Sequence, residues 1–164
     1  MEDDNGDQLE WRDTYFILFQ KSDRPTLTQV EAAITESSRR LKLENLEADD
    51  DGMFESVLVQ APQDNAALEI SYETGDAVAE QSVDLAKQLQ GELDERQLKR
   101  MLKADARLDV MLFERVQAEG WDAEDEEDWE TGSLDPSSML NVVDALAKLT
   151  GGLPIDPASG AILS

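Results

Sequence analysis

Six consecutive residues, Thr14-Tyr15-Phe16-Ile17-Leu18-Phe19, are aromatic or branched with no polar residue at alternate positions. A strand with one wet face alternates apolar and polar side chains. An uninterrupted run of this kind predicts a strand covered on both faces, and so an interior strand of a sheet. The remainder of the chain has to supply both its neighbours and the layers above and below it.

Those elements can be read in order. After the break at Arg24-Pro25, Thr28 and Glu31 have capping-box spacing, and Val30, Ala33, Ile34, Ser37 and Leu41 follow at helical intervals, predicting a helix over 28–41. An acidic turn from Glu47 to Gly52 leads into a strand over 54–60. The segment 61–65, with Pro62, Asp64 and Asn65, separates it from Leu68, Ile70 and Tyr72 in strict alternation, so the pair reads as a hairpin. Gly75-Asp76 opens a second helix carrying Val78, Val83, Leu85, Ala86, Leu89 and Leu93, kinked or ended by Gly91. A third helical stretch over 94–104 places Leu98, Met101 and Leu102 on one side, and a strand over 108–113 follows. Asp135-Pro136 has the chemistry of a helix start. Met139, Leu140, Val142, Val143, Leu146 and Leu149 continue the helix, and Gly151-Gly152 stops it. The chain ends in a short hairpin, 153–155 with 161–163, around an Asp-Pro turn.

The β-α-β-β-α-β order over 13–116 resembles the ferredoxin-like arrangement. That resemblance is topological and rests on no sequence motif. It implies an α+β fold with an antiparallel sheet, the strands at 14–19 and 68–72 central, and both helices on one face, with a C-terminal helix and short hairpin added. At 164 residues and 40% hydrophobic content the chain suits a single domain. Its expected organisation is an acidic disordered arm (1–12), the α+β core (13–116), an acidic loop (117–134), and a helix and hairpin packed on the core (135–164).

Charge is the other strong constraint. The chain carries 38 Asp and Glu against 14 Lys and Arg, a net charge of −24, and neither His nor Cys. Disulfides, thiolate nucleophiles, Ser-His-Asp machinery and imidazole or thiolate metal ligation are therefore excluded. Residues 43–86 hold twelve acids and no base, and 116–147 hold ten acids and no base, so thirteen of the fourteen bases fall within 12–42 and 87–115. No apolar run is long enough to span a bilayer, and the acidic N-terminus lacks the pattern of a signal peptide. The expectation is a soluble, cytoplasmic protein with no membrane contact.

Several candidate sites follow. The run Trp121-Asp122-Ala123-Glu124-Asp125-Glu126-Glu127-Asp128-Trp129-Glu130 sets two aromatic anchors in a block of like charge. It reads either as a strip for capture by a basic groove or as a loop whose tryptophans tuck back on the domain. Glu47, Asp49, Asp51 and Gly52 resemble the front of a calcium-binding loop, but Leu58 stands where a bidentate carboxylate is needed, so the segment reads as an acidic turn. Glu55, Glu69 and Glu73 form a conceivable cross-strand carboxylate patch. Tyr15, Phe16 and Tyr72 would suit base stacking, but the charge opposes nucleic-acid binding. Glycine-rich phosphate loops are absent from the sequence.

The function these features point to is a non-enzymatic interaction module, without cofactor or metal, that binds or neutralises a basic protein partner through its acidic edges and the 121–130 strip. Two alternatives belong to other classes. One is an enzyme using a divalent metal held by Glu47, Asp49, Asp51 and Glu55; the other is a small-molecule sensor pairing its sheets in a homodimer, so that both monomer and homodimer stay open. Salt adaptation or simple solubility would also account for the acidity.

Overall fold

The computed structural model describes residues 7–38, 40–117 and 136–163. The chain order is β1 (Asp7–Phe19), α1 (Leu27–Ser37), β2 (Lys42–Ala48), β3 (Phe54–Ala61), β4 (Ala66–Thr74), α2 (Asp76–Gln88), α3 (Glu95–Lys103), β5 (Ala106–Gln117), α4 (Ser137–Thr150), β6 (Leu153–Asp156) and β7 (Ala161–Ile162). All seven strands join one antiparallel sheet in the order β2-β3-β4-β5-β1-β6-β7. The fold is mixed α+β. Among the described residues no helix is long and apolar enough to cross a membrane.

The strand order departs from the ferredoxin-like expectation. There the strand after the second helical region would lie at the sheet edge; here β5 lies between β4 and β1, and β1 lies between β5 and β6. The cause is the break near Gly91. A ferredoxin-like order has one helical crossing here; the two helical stretches expected on either side of Gly91 are instead separate helices, α2 and α3, packed on each other, and two crossings return the chain to the end it left. β5 can then run antiparallel directly beside β4.

Helices also cover both faces, not one. Tyr15, Ile17 and Phe19 of β1 join Val57, Val59, Leu68, Ile70, Leu108 and Val110 in a core sealed by Val30 and Ile34 of α1 and by Met139, Val142, Val143 and Leu146 of α4. Phe16 and Leu18 face the other way, register with Ile155 and Leu153 of β6, and pack beneath Ala86, Leu89 and Met101 from α2 and α3. The two-sided apolar run thus obtains a layer on each side.

Local boundaries differ in several places. α1 starts one residue early because Thr26, not Thr28, is the cap: its Oγ1 accepts from the Gln29 amide at 3.1 Å while Gln29 Oε1 accepts from the Thr26 amide at 2.9 Å; it ends four residues early, at Ser37, where the backbone turns extended at Ser38. β2 fills a stretch read as lacking a strand. β1 begins at Asp7, so residues 7–12, expected within a disordered arm, lie in a strand, with 7–11 paired to β5 and Arg12 at a bulge. The expected N-cap Asp135 lies outside the described residues; Asp64 instead accepts from the Ser138 amide at 2.9 Å, capping α4 from the β3–β4 connection.

Candidate functional site

On the face carrying α2 and α3, the helices cover only the rows of the sheet nearest β6. The register sets out what the described residues leave uncovered. One row across β2, β3, β4, β5 and β1 is Lys42, Gln60, Ala67, Phe113 and Trp11; the next is Glu44, Leu58, Glu69, Met111 and Thr14. Neighbouring strands stand about 4.8 Å apart, so each row is a continuous strip of side chains. Beyond the second row lie Glu47, Ser56, Ser71, Asp109 and Phe16, and there the helices begin to close over the sheet.

Trp11 is 56% exposed and Leu9, two residues earlier on the same face, is 41% exposed. Leu58, Met111 and Phe113 are half-buried. The Trp11 indole is fixed in place by donating from Nε1 to Thr14 Oγ1 at 2.8 Å across a bulge in β1. A hollow of about 290 Å³ in this face is lined by Leu9, Asn45, Glu47, Ser56, Leu58, Glu69 and Phe113. Asn45 holds a left-handed φ of +53° within the irregular β2 edge, where the register shifts between Glu44 and Glu47. Lys42 and Arg115 stand at the far rim, Arg115 donating to Gln60 Oε1. The site is an apolar band with Glu44, Glu47 and Glu69 set along it.

The residues singled out from sequence fare unevenly. The strip Trp121, Asp122, Glu124, Asp125, Glu126, Glu127, Asp128, Trp129 and Glu130 lies outside the described residues. Among the described residues no three carboxylates gather as a metal site. Asp49 is instead structural: its Oδ1 accepts from the amides of Asp51 and Met53, both at 2.9 Å, and its Oδ2 meets Arg24 Nη1 at 3.2 Å. The Met53 amide foremost, then that of Asp51 and the charge of Arg24, holds the Asp49 carboxyl below its ordinary value.

Glu69 and Glu73 share a face of β4 but are roughly 13 Å apart along it, with Met111 and Arg107 opposite them on β5. They form no carboxylate pair. Tyr15 is in the core, where burial and then the charge of Asp13 push its hydroxyl up to about 12. Phe16 lies under the Arg107 guanidinium at 4.2 Å and Tyr72 under that of Arg24 at 4.1 Å, so these aromatic faces are already occupied.

Leu9 and Trp11 were missed as site residues. Their signal is present in the alternation Gln8-Leu9-Glu10-Trp11-Arg12, a strand pattern set among acids that suggest a disordered arm. Comparison of the chain with protein-family models, with curated proteins and with solved structures gives no match.

Proposed function

We propose that the protein is a non-enzymatic interaction module, working in the cytoplasm, whose uncovered half-sheet docks a basic, amphipathic segment of a partner protein. One observation carries the reading: an apolar band on the sheet, built from exposed Leu9 and Trp11 and half-buried Leu58, Met111 and Phe113, with Glu44, Glu47 and Glu69 beside it. Apolar side chains of the partner would fill the hollow and its Lys or Arg residues would meet the glutamates. The −24 charge of the chain adds long-range steering toward a cation. Tryptophan is the residue type most often found as an energetic anchor at interfaces, and Trp11 stands at the end of the band.

The test separates docking from general attraction to a polyanion. A fluorescent Lys/Leu decapeptide is titrated into the wild type and into Trp11→Ala, which has the same net charge. Loss of a well-packed anchor lowers affinity by about tenfold or more. Equal affinity for the two proteins would mean that the peptide reads charge alone, and the reading would fail. Growth in mass with concentration, measured by light scattering without peptide, would instead assign the band to a second copy of the chain.

A further inference from the structure

Helix α3 carries a charge pattern that its own stability does not explain. Arg96, Lys99, Arg100 and Lys103 are exposed and spaced at i, i+3, i+4 and i+7, so they form one stripe. Arg96–Arg100 and Lys99–Lys103 are like-charged pairs four residues apart, which oppose helix formation. Arg100 and Lys103 complement the negative end of the helix dipole, but Arg96 sits in the first turn, at the positive end, where a cation is disfavoured. Glu95 is placed to pair with Lys99, yet Arg96, Lys99 and Lys103 make neither an ion pair nor a hydrogen bond among the described residues. Arg100 alone is tied down, donating from Nη2 to the Gly151 carbonyl at 2.6 Å. Lys21, Lys42 and Lys87 likewise lack a side-chain ion pair among the described residues, so what sets α3 apart is the gathering of four exposed cations on one stripe, in a chain with 38 acids.

We propose that this stripe is a second docking surface, opposite in sign to the first, for a short acidic peptide segment of a partner protein. Beside it lies a hollow of about 300 Å³ lined by Lys99, Arg100 and Lys103, by Leu18, Phe19 and Gln20 at the end of β1, by Gly151, and by one acid, Asp23. Leu102, 47% exposed, adds an apolar contact next to the cations, suited to a peptide side chain rather than to a sugar-phosphate backbone. Size points the same way. The helix is about 13 Å long, and the acids Glu92, Asp94 and Glu95 stand at its start and Asp105 just past its end. A few extended residues fit between those brackets, whereas a long polyanion would lie across them.

The experiment is fluorescence anisotropy of a labelled Glu/Leu decapeptide at about 0.15 M salt, where screening beyond about 8 Å silences distant acids and leaves contact pairs intact. The proteins are the wild type, the triple variant Arg96→Gln, Lys99→Gln, Lys103→Gln, and Trp11→Ala; Arg100 is left in place because it holds Gly151. Saturable binding is expected in the wild type and in Trp11→Ala, with a loss of about tenfold or more in the triple variant. The melting temperature of the triple variant should be unchanged or higher, since like-charge repulsion is removed. Absence of saturation in the wild type, or equal affinity in the triple variant, overturns the proposal, as would tighter binding of a short DNA duplex than of the peptide. Because Trp11→Ala keeps this binding, the stripe and the half-sheet stand or fall separately.

Discussion

Gly152 joins α4 to β6 where there is no room for a side chain. A Cβ there would lie 2.7 Å from Ile17 Cγ2, 2.8 Å from Thr150 Oγ1 and 3.0 Å from the Leu18 carbonyl oxygen. The obstructing atoms include backbone of the interior strand, so relief requires β1 or α4 to shift. Gly152→Ala should therefore destabilise by about 1–3 kcal/mol, read from urea melts; an unchanged midpoint would show that the α4–β6 corner yields easily. Asp49 gives a pH-dependent counterpart. Its folded carboxyl is held below the ordinary value, so its contribution to stability is present above the normal carboxylate range and fades as pH falls through the folded value. Asp49→Ala should lower stability at neutral pH and flatten the loss seen on acidification, in melts taken from neutral pH down to about pH 2. An acid limb as steep as that of the wild type would contradict the role assigned to the β2–β3 turn.

At the scale of elements, α3 is held against its own charge. Arg96→Glu would convert a like-charged i,i+4 pair with Arg100 into an attractive one and would place an acid at the positive end of the helix, a gain of roughly 0.5 kcal/mol. A small rise in melting temperature is expected, and a fall would mean that Arg96 has a structural partner. The same scale shows what could be read from sequence. The run 14–19 was legible as a strand covered on both faces because its composition leaves no other use for six such side chains. The hairpin around Pro62 and the end of α4 at Gly151 were legible through turn chemistry, and Gly151 does adopt the left-handed φ of +67°. β2 was not, since its edge position and register shifts leave Leu43 and Leu46 without alternation. Strand order was also hidden: a helical region that breaks at Gly91 can be one crossing or two, and only packing of α2 on α3 decides between antiparallel neighbours and a ferredoxin-like order. The half-sheet site was illegible for a related reason. Its apolar residues come from β1, β3 and β5 and its glutamates from β2 and β4, and only the register brings Trp11, Phe113 and Leu58 onto one face.

Over the whole molecule, the two faces of the sheet are covered to different extents. Among the described residues, one sheet face is closed by α1 and α4, while the other is closed by α2 and α3 near β6 and left open toward β2 and the start of β1. Glu44, Glu47 and Glu69 stand along that opening, and four exposed cations, Arg96, Lys99, Arg100 and Lys103, share one stripe of α3. This arrangement suits a scaffold that meets a basic segment at the open half-sheet. The measurement that tests this most directly is a map of backbone amide chemical shifts on addition of the Lys/Leu decapeptide. Shifts should concentrate on Leu9 to Thr14, on Leu58, on Glu69 and on Met111 to Phe113, and should leave α1, α3 and α4 unmoved. Shifts confined to 117–134, or spread evenly over every acidic surface, would contradict the assignment of the half-sheet as the docking face.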